Sequence, residues 1–440
     1  MGRETEAMAG GLPAPAPAGG QWKRNLVALW FAEFFALFGF SFALPFLALY
    51  LHQDLGVHSQ HQLDLWTGTA SGVGGVSMAI ASPLWGMLAD RYGRRPMLLR
   101  AMVGGAVCVG LLAFVQSPWQ LVALRFLQGA TSGTIAAATA LVASETPRRQ
   151  VPMALGVLAS AIALGEAIGP VAGGLTTAFL GFRPVFLGTT ALLLLAVLPV
   201  AFFVRESPRL PALTTASAAE RVGIRSLGRP LLLALAVLVV AQTLVQFAYV
   251  GSQQMVALRL LLVVPQAPNL ATGVAFGCAG VATATAASQY GRLTRRFGFQ
   301  RFAAVGAVLF CGGIALAALA PSIGLLVVGV AIYGFLFGCV SPSLSTMIGL
   351  RTPRAVQATV YGISASALSV GFSTGPFIAG LVAAASNPQI AMLVGASAAL
   401  LLAALLWFGV REPDSPASPG PAVPAKPSVA RSESDPSPSA

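Results

Sequence analysis

Three charged side chains stand inside long apolar runs of this 440-residue chain: Glu33, Arg125 and Glu166. An ionisable group at such depth is expensive and marks a path for ions or substrate. A carboxylate can carry a proton, and an arginine can neutralise one carboxylate. If Arg125 pairs with Glu33 or with Glu166, the other acid is left to titrate. All three lie in the first half, so proton coupling through a carboxylate belongs there. On a helix, Arg125, Gln128, Gly129, Ser132 and Thr139 share a face, as do Glu166, Pro170, Gly173 and Thr177. A polar face in an apolar run must point at protein or at a water-filled cavity. Phe31, Phe35, Phe38, Phe42 and Phe46 form a stripe nearly opposite Glu33. With Glu33 turned to a cavity, that stripe faces lipid or a neighbouring helix. Leu37, Phe40 and Leu44 then form the apolar wall beside the acid. Gln242, Gln246, Tyr249 and Gln253 recur at i, i+4, i+7 and i+11. They line the same cavity from the second half or hydrogen-bond between helices.

Other chemistries find little support. The four cysteines, Cys108, Cys278, Cys311 and Cys339, sit singly in apolar runs with no CxxC spacing, so they read as small hydrophobes. His52, His58 and His61, with Asp54 and Asp64, read as a solvated loop rather than a metal site. There is no GxxxxGK[ST] phosphate loop, and the only lysines, Lys23 and Lys426, lie outside the apolar runs. Uphill work must therefore draw on an ion gradient, with no cofactor. The net charge of +12 is spread through short gaps rather than in a stripe interleaved with aromatics, which argues against nucleic acid.

The elements that position these groups follow from composition. The chain is 56% hydrophobic and 9% charged, whereas a water-soluble domain is about 25% charged. Its surroundings are lipid. A span needs about 20 mostly apolar residues. That ruler places spans near 26–51, 66–89, 97–116, 119–142, 153–178 and 184–204, then near 231–256, 270–290, 302–320, 322–346, 357–383 and 389–410. The reading is an all-α membrane protein of twelve transmembrane helices in two pseudo-symmetric six-helix bundles. A tail at 1–25 precedes the first bundle at 26–204. An arginine-bearing linker at 205–229 leads to the second bundle at 230–410. A Pro/Ser/Ala-rich tail, expected to be disordered, fills 411–440. Lys23, Arg24, Arg91, Arg94, Arg95, Arg292, Arg296, Arg301 and Arg351 fall on one side, against Arg183 and Arg259 on the other. That asymmetry puts both termini in the cytoplasm.

The halves repeat. Gly86-Met-Leu-Ala-Asp-Arg-Tyr-Gly93 matches Gly291-Arg-Leu-Thr-Arg-Arg-Phe-Gly298 at an offset of 205 residues. Gly165 to Pro170 matches Gly371 to Pro376 at an offset of 206. Duplicated halves around a midplane site are the usual build of secondary transporters. Gly86, Asp90, Arg91, Gly93, Arg94 and Arg95 resemble the loop 2–3 signature of the major facilitator superfamily. Arg125-Phe-Leu-Gln128-Gly129 is similar to its span 4 signature. Gly165, Gly169, Pro170, Gly173 and Gly174 fit the GxxxGPxxGG signature of its twelve-span drug:proton antiporter family. Gly39 and Pro45 resemble the span 1 signature, with Ala48 where a second proline is common.

The resemblance implies a proton-coupled exporter of small apolar or cationic molecules, cycling by alternating access in the bacterial cytoplasmic membrane. A narrower exporter of a metabolite or sugar on the same fold is the alternative. It implies small-molecule substrate, protons and lipid as partners, and a monomer. Glu33, Glu166 and Arg125 are then the proton-coupling candidates. Leu37, Phe40, Leu44, Gln128, Ser132, Gln242, Gln246 and Tyr249 are the cavity candidates. The resemblance further implies a latch in which Asp90 meets the start of span 11, with Arg91, Arg94 and Glu145 as charge partners.

Overall fold

The computed structural model of the chain describes residues 20–147, 149–207, 228–353 and 356–409. Among them are twelve helices long and apolar enough to cross a membrane. The first bundle holds α1 (Gln21–Gln53), α2 (Gln60–Tyr92), α3 (Arg94–Leu112), α4 (Pro118–Glu145), α5 (Val151–Leu180) and α6 (Phe182–Phe203). The second holds α7 (Arg229–Val263), α8 (Pro268–Phe297), α9 (Phe299–Leu319), α10 (Ile323–Arg351), α11 (Gln357–Ala385) and α12 (Pro388–Gly409). Each corresponds to one span expected from hydropathy. Residues 208–227 of the linker, most of the amino-terminal tail and the whole 411–440 tail lie outside the described residues.

Several helices outrun the apolar ruler. The first helix starts at Gln21, the second at Gln60, and α7 and α8 run on to Val263 and Phe297. Polar turns at the bilayer surface continue a helix whose hydrogen bonds are already formed. This corrects the reading of the first loop. Asp64 is not solvated: it is wholly buried on the second turn of α2, where Gln60 donates to its Oδ1 at 2.8 Å.

Two helices are interrupted, and each interruption is compensated. Pro45 lacks the N–H that would continue α1, and Leu44–Phe46 tighten into a 3-10 turn. The fourth helix breaks at Ser132–Gly133, where Gly133 adopts φ +125°. Backbone groups freed inside lipid must be met by protein. Arg100 of α3 meets them, donating to the carbonyls of Thr131 at 3.2 Å and Ser132 at 3.5 Å. Its guanidinium lies 3.5 Å over the Trp85 ring.

Short connections make successive helices run in opposite directions. The turns therefore gather at two ends: a basic end, with Arg91, Arg94 and Arg95, and a histidine end, with His52 and His58. The bundles meet along two seams in the histidine-end portion of their helices. In one seam α2 crosses α11: a Cβ on Gly68 would stand 2.6 Å from the Gly380 Cα, one on Gly72 2.8 Å from the Phe377 Cβ, and one on Gly75 2.8 Å from the Ser373 Cα. In the other seam α8 crosses α5, and Gly273 meets Gly174, Gly277 meets Val171, and Gly280 meets Ala167. Every rung of one seam maps onto the other at the repeat offsets of 205 and 206 residues. The pseudo-two-fold read from sequence is thus built into the contacts. His61 Nδ1 reaches the Ala384 carbonyl at 2.9 Å, and Gln53 donates to Asn269 at 3.3 Å, closing the same end.

Toward the basic end the helices part. Ile80, Leu84 and Met87 of α2 are exposed, Ile80 by 70% and Met87 by 64%, as are Met153 and Val157 of α5 and Tyr361 and Ile363 of α11. A Cβ added to Gly86, Gly156, Gly291 or Gly362 would meet open space. The two bundles enclose a cleft that is shut at the histidine end and open at the basic end.

Candidate functional site

The fifth helix positions the acid at the apex of this cleft. Its glycine edge is pressed onto α1: a Cβ on Gly165 would lie 2.7 Å from the Phe38 nitrogen, and one on Gly169 2.7 Å from the Ser41 Cβ. At Gly173 it would run into the Phe42 carbonyl oxygen. Ala167, Val171 and Gly174 form the edge on α8. With both edges committed, Glu166 is turned to the cleft and is exposed. Pro170 has no N–H, so the backbone carbonyl freed in the helix is that of Glu166 itself.

Across the cleft the second bundle offers Tyr249. Its ring stacks on Phe337 with centroids 3.7 Å apart. Its hydroxyl lies within hydrogen-bonding reach of Thr283 and within electrostatic range of Glu166. Thr283 in turn donates to the carbonyls of Ala279 and Gly334, both at 2.9 Å. An acid, a phenol and an aromatic wall thus converge at the level of the last seam rung.

A family model described as Major Facilitator Superfamily matches residues 29–270 and 243–433. The chain belongs to the Major Facilitator Superfamily. Curated relatives include the multidrug resistance protein MdtG of Dickeya zeae (strain Ech586), 32% identical over 392 residues, spanning 89% of this chain and 95% of that protein. MdtG of Proteus mirabilis (strain HI4320) is 31% identical over 406 residues, spanning 90% of this chain and 98% of that protein. Among solved structures, a D-xylose-proton symporter superposes with a TM-score of 0.71 at 17% identity, covering 88% of this chain and 98% of that one. The human organic anion transporter MFSD10 (TETRAN) gives 0.64 at 21% identity, covering 88% and 99%.

The superfamily's span 4 arginine is placed behind this interface. Arg125 is buried between α4 and α2, donating through Nε to the Ala70 carbonyl at 3.3 Å and through Nη1 to Gln128 Oε1 at 2.5 Å. It pairs with neither Glu33 nor Glu166 among the described contacts, so the alternative of a structural ion pair is not seen in this arrangement. Gly129 explains the end of the signature, since a Cβ there would collide with the Gly74 carbonyl oxygen and the Ser77 Oγ. Ser132 donates to the Gln128 carbonyl at 2.9 Å.

Glu33 departs from the expectation of a cavity-facing acid. It is wholly buried within the first bundle, and among the described residues neither carboxylate oxygen has a hydrogen-bond partner. Phe40 turns inward with it, its ring 3.0 Å from the place of a Cβ on Gly105 and near Leu193. Leu37 is buried beside Gly165, and Leu44 is half-buried against the core. These three do not form a cleft wall. On α7, Gln242 is buried: it donates to Ser345 at 2.9 Å and accepts from Ser364. Gln246 packs beside Gly371. Of the two roles open to the span 7 glutamines, Gln242 takes the interhelical one. Only Glu166 and Tyr249 of the candidate sets converge across the cleft.

The loop 2–3 signature holds a second cluster. Asp90 and Arg91 are exposed at the end of α2, and Gly93 turns the chain at φ +99°. Arg94 Nη1 donates to the Ala140 carbonyl. The acid over the start of α3 is Glu206, which accepts from the backbone N–H groups of Arg94 and Arg95, both at 2.9 Å. Glu145 accepts from the Ser207 N–H at 3.1 Å and its hydroxyl at 2.7 Å. Glu206 escaped the sequence reading. Its signal was indirect: α3 opens on Arg94-Arg95, two cations where a helix start favours an anion.

Proposed function

We propose that this chain exports small apolar or cationic molecules, drugs among them, in exchange for protons. The observation that carries the reading is Glu166, the acid facing the apex of a cleft whose two sides are otherwise largely apolar. An ionised Glu166 attracts a cation entering the cleft; a proton arriving from the other side neutralises it and releases the cation. Competition for one carboxylate couples the two fluxes without any direct contact between them. The MdtG relatives, named for multidrug resistance, support the substrate class. The polar side chains spent inside the second bundle, Gln242 above all, favour an apolar cargo over a sugar.

The basic end is the cytoplasmic one by the positive-inside rule, so the arrangement described is open to the cytoplasm. The membrane is the bacterial cytoplasmic membrane, the termini are cytoplasmic, and the working unit is the monomer. Glu33 is buried with no partner among the described residues, a place where an ionised carboxylate costs several kcal/mol. Arg125 contributes to coupling from behind α2, where it is held by the Ala70 carbonyl and Gln128. Asp90 serves the latch toward α11 when the basic end closes.

The test is uptake of tetraphenylphosphonium into inverted vesicles carrying the chain, with an imposed pH gradient. Accumulation that collapses on adding a protonophore supports the reading. Equal accumulation with and without the gradient, at verified protein level, overturns it.

A further inference from the structure

A groove of about 340 Å³ runs between α9 and α12 of the second bundle, away from both seams. Its floor is Ala304 of α9 and Ala403 of α12, both buried. Its walls include Val305 and Val308 on one side and Ala404 and Trp407 on the other. Here α9 starts at the basic end and α12 finishes there. Gln300 fixes that corner, donating through Nε2 to the Leu406 carbonyl at 3.0 Å. Arg301 stands beside it, one turn before Val305 on the same helix face and about 6 Å nearer the bilayer surface. It is exposed, and among the described residues it makes no hydrogen bond and no ion pair. An apolar trough thus opens at the membrane surface between a tryptophan and an unpaired cation.

The first bundle is built differently at the matching corner. Counted from the first residue of each helix, Leu99 of α3 stands where α9 has Ala304. Val197 and Leu198 of α6 stand where α12 has Ala403 and Ala404. Branched side chains there occupy space that the alanines leave empty. Ala201 stands in the place of Trp407, and Pro96 in that of Arg301. The arginines nearby are bound to protein: Arg95 donates to the Val200 and Ala201 carbonyls at 3.3 and 2.6 Å, and Arg100 to those of Thr131 and Ser132. Two corners with one backbone plan therefore differ in the trough and in the free cation together. That pairing points to one occupant with an apolar part and a negative part.

We infer that the α9/α12 groove is a binding site for one anionic phospholipid of the leaflet at the basic end, its acyl chain along Ala304 and Ala403 and its phosphate on Arg301. The lining suits a hydrocarbon chain, and the guanidinium offers a phosphate a planar set of N–H donors. A zwitterionic lipid brings the same chain and phosphate, but also an amine that Arg301 repels. The site requires nothing of the export reading, and its test needs no transport.

Native mass spectrometry of the full chain tests it. The chain in detergent is offered equal amounts of phosphatidylglycerol and phosphatidylethanolamine with the same acyl chains. The first lipid retained should be phosphatidylglycerol, by about fivefold. Arg301→Gln should abolish that preference, whereas Arg296→Gln, which removes an equally exposed charge from the end of α8, should leave it unchanged. Ala404→Phe fills the trough and should reduce retention of both lipids about threefold, while Leu198→Phe, at the matching place on α6, should not. Arg301 and Ala404 are both exposed, so neither change invades the core. Equal retention of the two lipids by the unaltered chain, an unchanged preference in Arg301→Gln, or equal effects of the two phenylalanines overturns the site. So does a dimer that Ala404→Phe dissolves, since the groove would then hold a second copy of the chain.

Discussion

The two seams share a backbone and differ in side chains. At α2/α11 and at α5/α8 the rungs fall at matching positions, begin with a Gly–Gly contact and close the same end of the molecule. Close helix approach through small residues is what holds helices together in lipid, where apolar burial gives no net drive. The signature GxxxGP occurs in both α5 and α11, but the residue after its first glycine is Glu166 in one and Phe372 in the other. The packing is the same in both seams; the carboxylate stands in one of them only. A rocking motion needs the first property in both halves, whereas proton coupling needs the second in one.

The comparison is broken or sharpened most directly at that pair. Glu166→Gln should lower gradient-driven tetraphenylphosphonium uptake by about tenfold or more, while Phe372→Leu should stay within about twofold. Equal loss from both would mean that the helix, not the acid, is what matters.

The rungs come next. Gly174→Leu and Gly380→Leu each force a side chain into a neighbouring backbone and should disfavour the arrangement closed at the histidine end by about 1–3 kcal/mol. Disulfide trapping between His61→Cys and Ala384→Cys should slow by roughly tenfold in both. A large effect in one seam alone would show that the halves do not move as equals.

Glu33→Gln should reduce gradient-driven uptake by about threefold, less than Glu166→Gln, because Glu33 has no face on the cleft. Its thermal unfolding should shift little, since the amide fills the same space as the carboxyl group. A loss matching that of Glu166→Gln would make the two acids one unit.

The smallest expected effect is Glu206→Gln, which removes a charge from the α3 start and should cost about 0.5–1 kcal/mol in thermal unfolding. A much larger loss would mean that Glu206, rather than the packing of α3 against its neighbours, holds this corner of the first bundle together.

Much of this was legible beforehand. Twelve apolar runs and alternating arginines define twelve helices because lipid admits few alternatives. In the sequence Glu166 is marked together with Glu33 and Arg125, as charges inside apolar runs, and nothing there ranks one acid above the other. The orientation of Glu33 was not legible: helical periodicity tells which residues share a face, but not whether that face looks at a cleft or into its own bundle. Nor was the Gly68–Gly380 rung, since its partners are separated by more than 300 positions and glycine is common throughout these helices. Gln242 showed a polar face, yet its partners Ser345 and Ser364 come from two other helices whose rotation only packing decides.

The hydrogen bonds at the end of α6 bear on how the chain is made. Asn25 donates to the Arg205 carbonyl at 2.7 Å and accepts from the Arg205 N–H at 3.0 Å, while Glu206 and Ser207 fasten onto α3 and α4. Every partner in that knot precedes residue 208. On a ribosome, the first bundle can therefore draw itself shut as soon as that stretch leaves the exit tunnel, while the helices of the second are still being synthesised. The later half then inserts beside a finished template that already displays the Gly68 and Gly174 faces it will dock against.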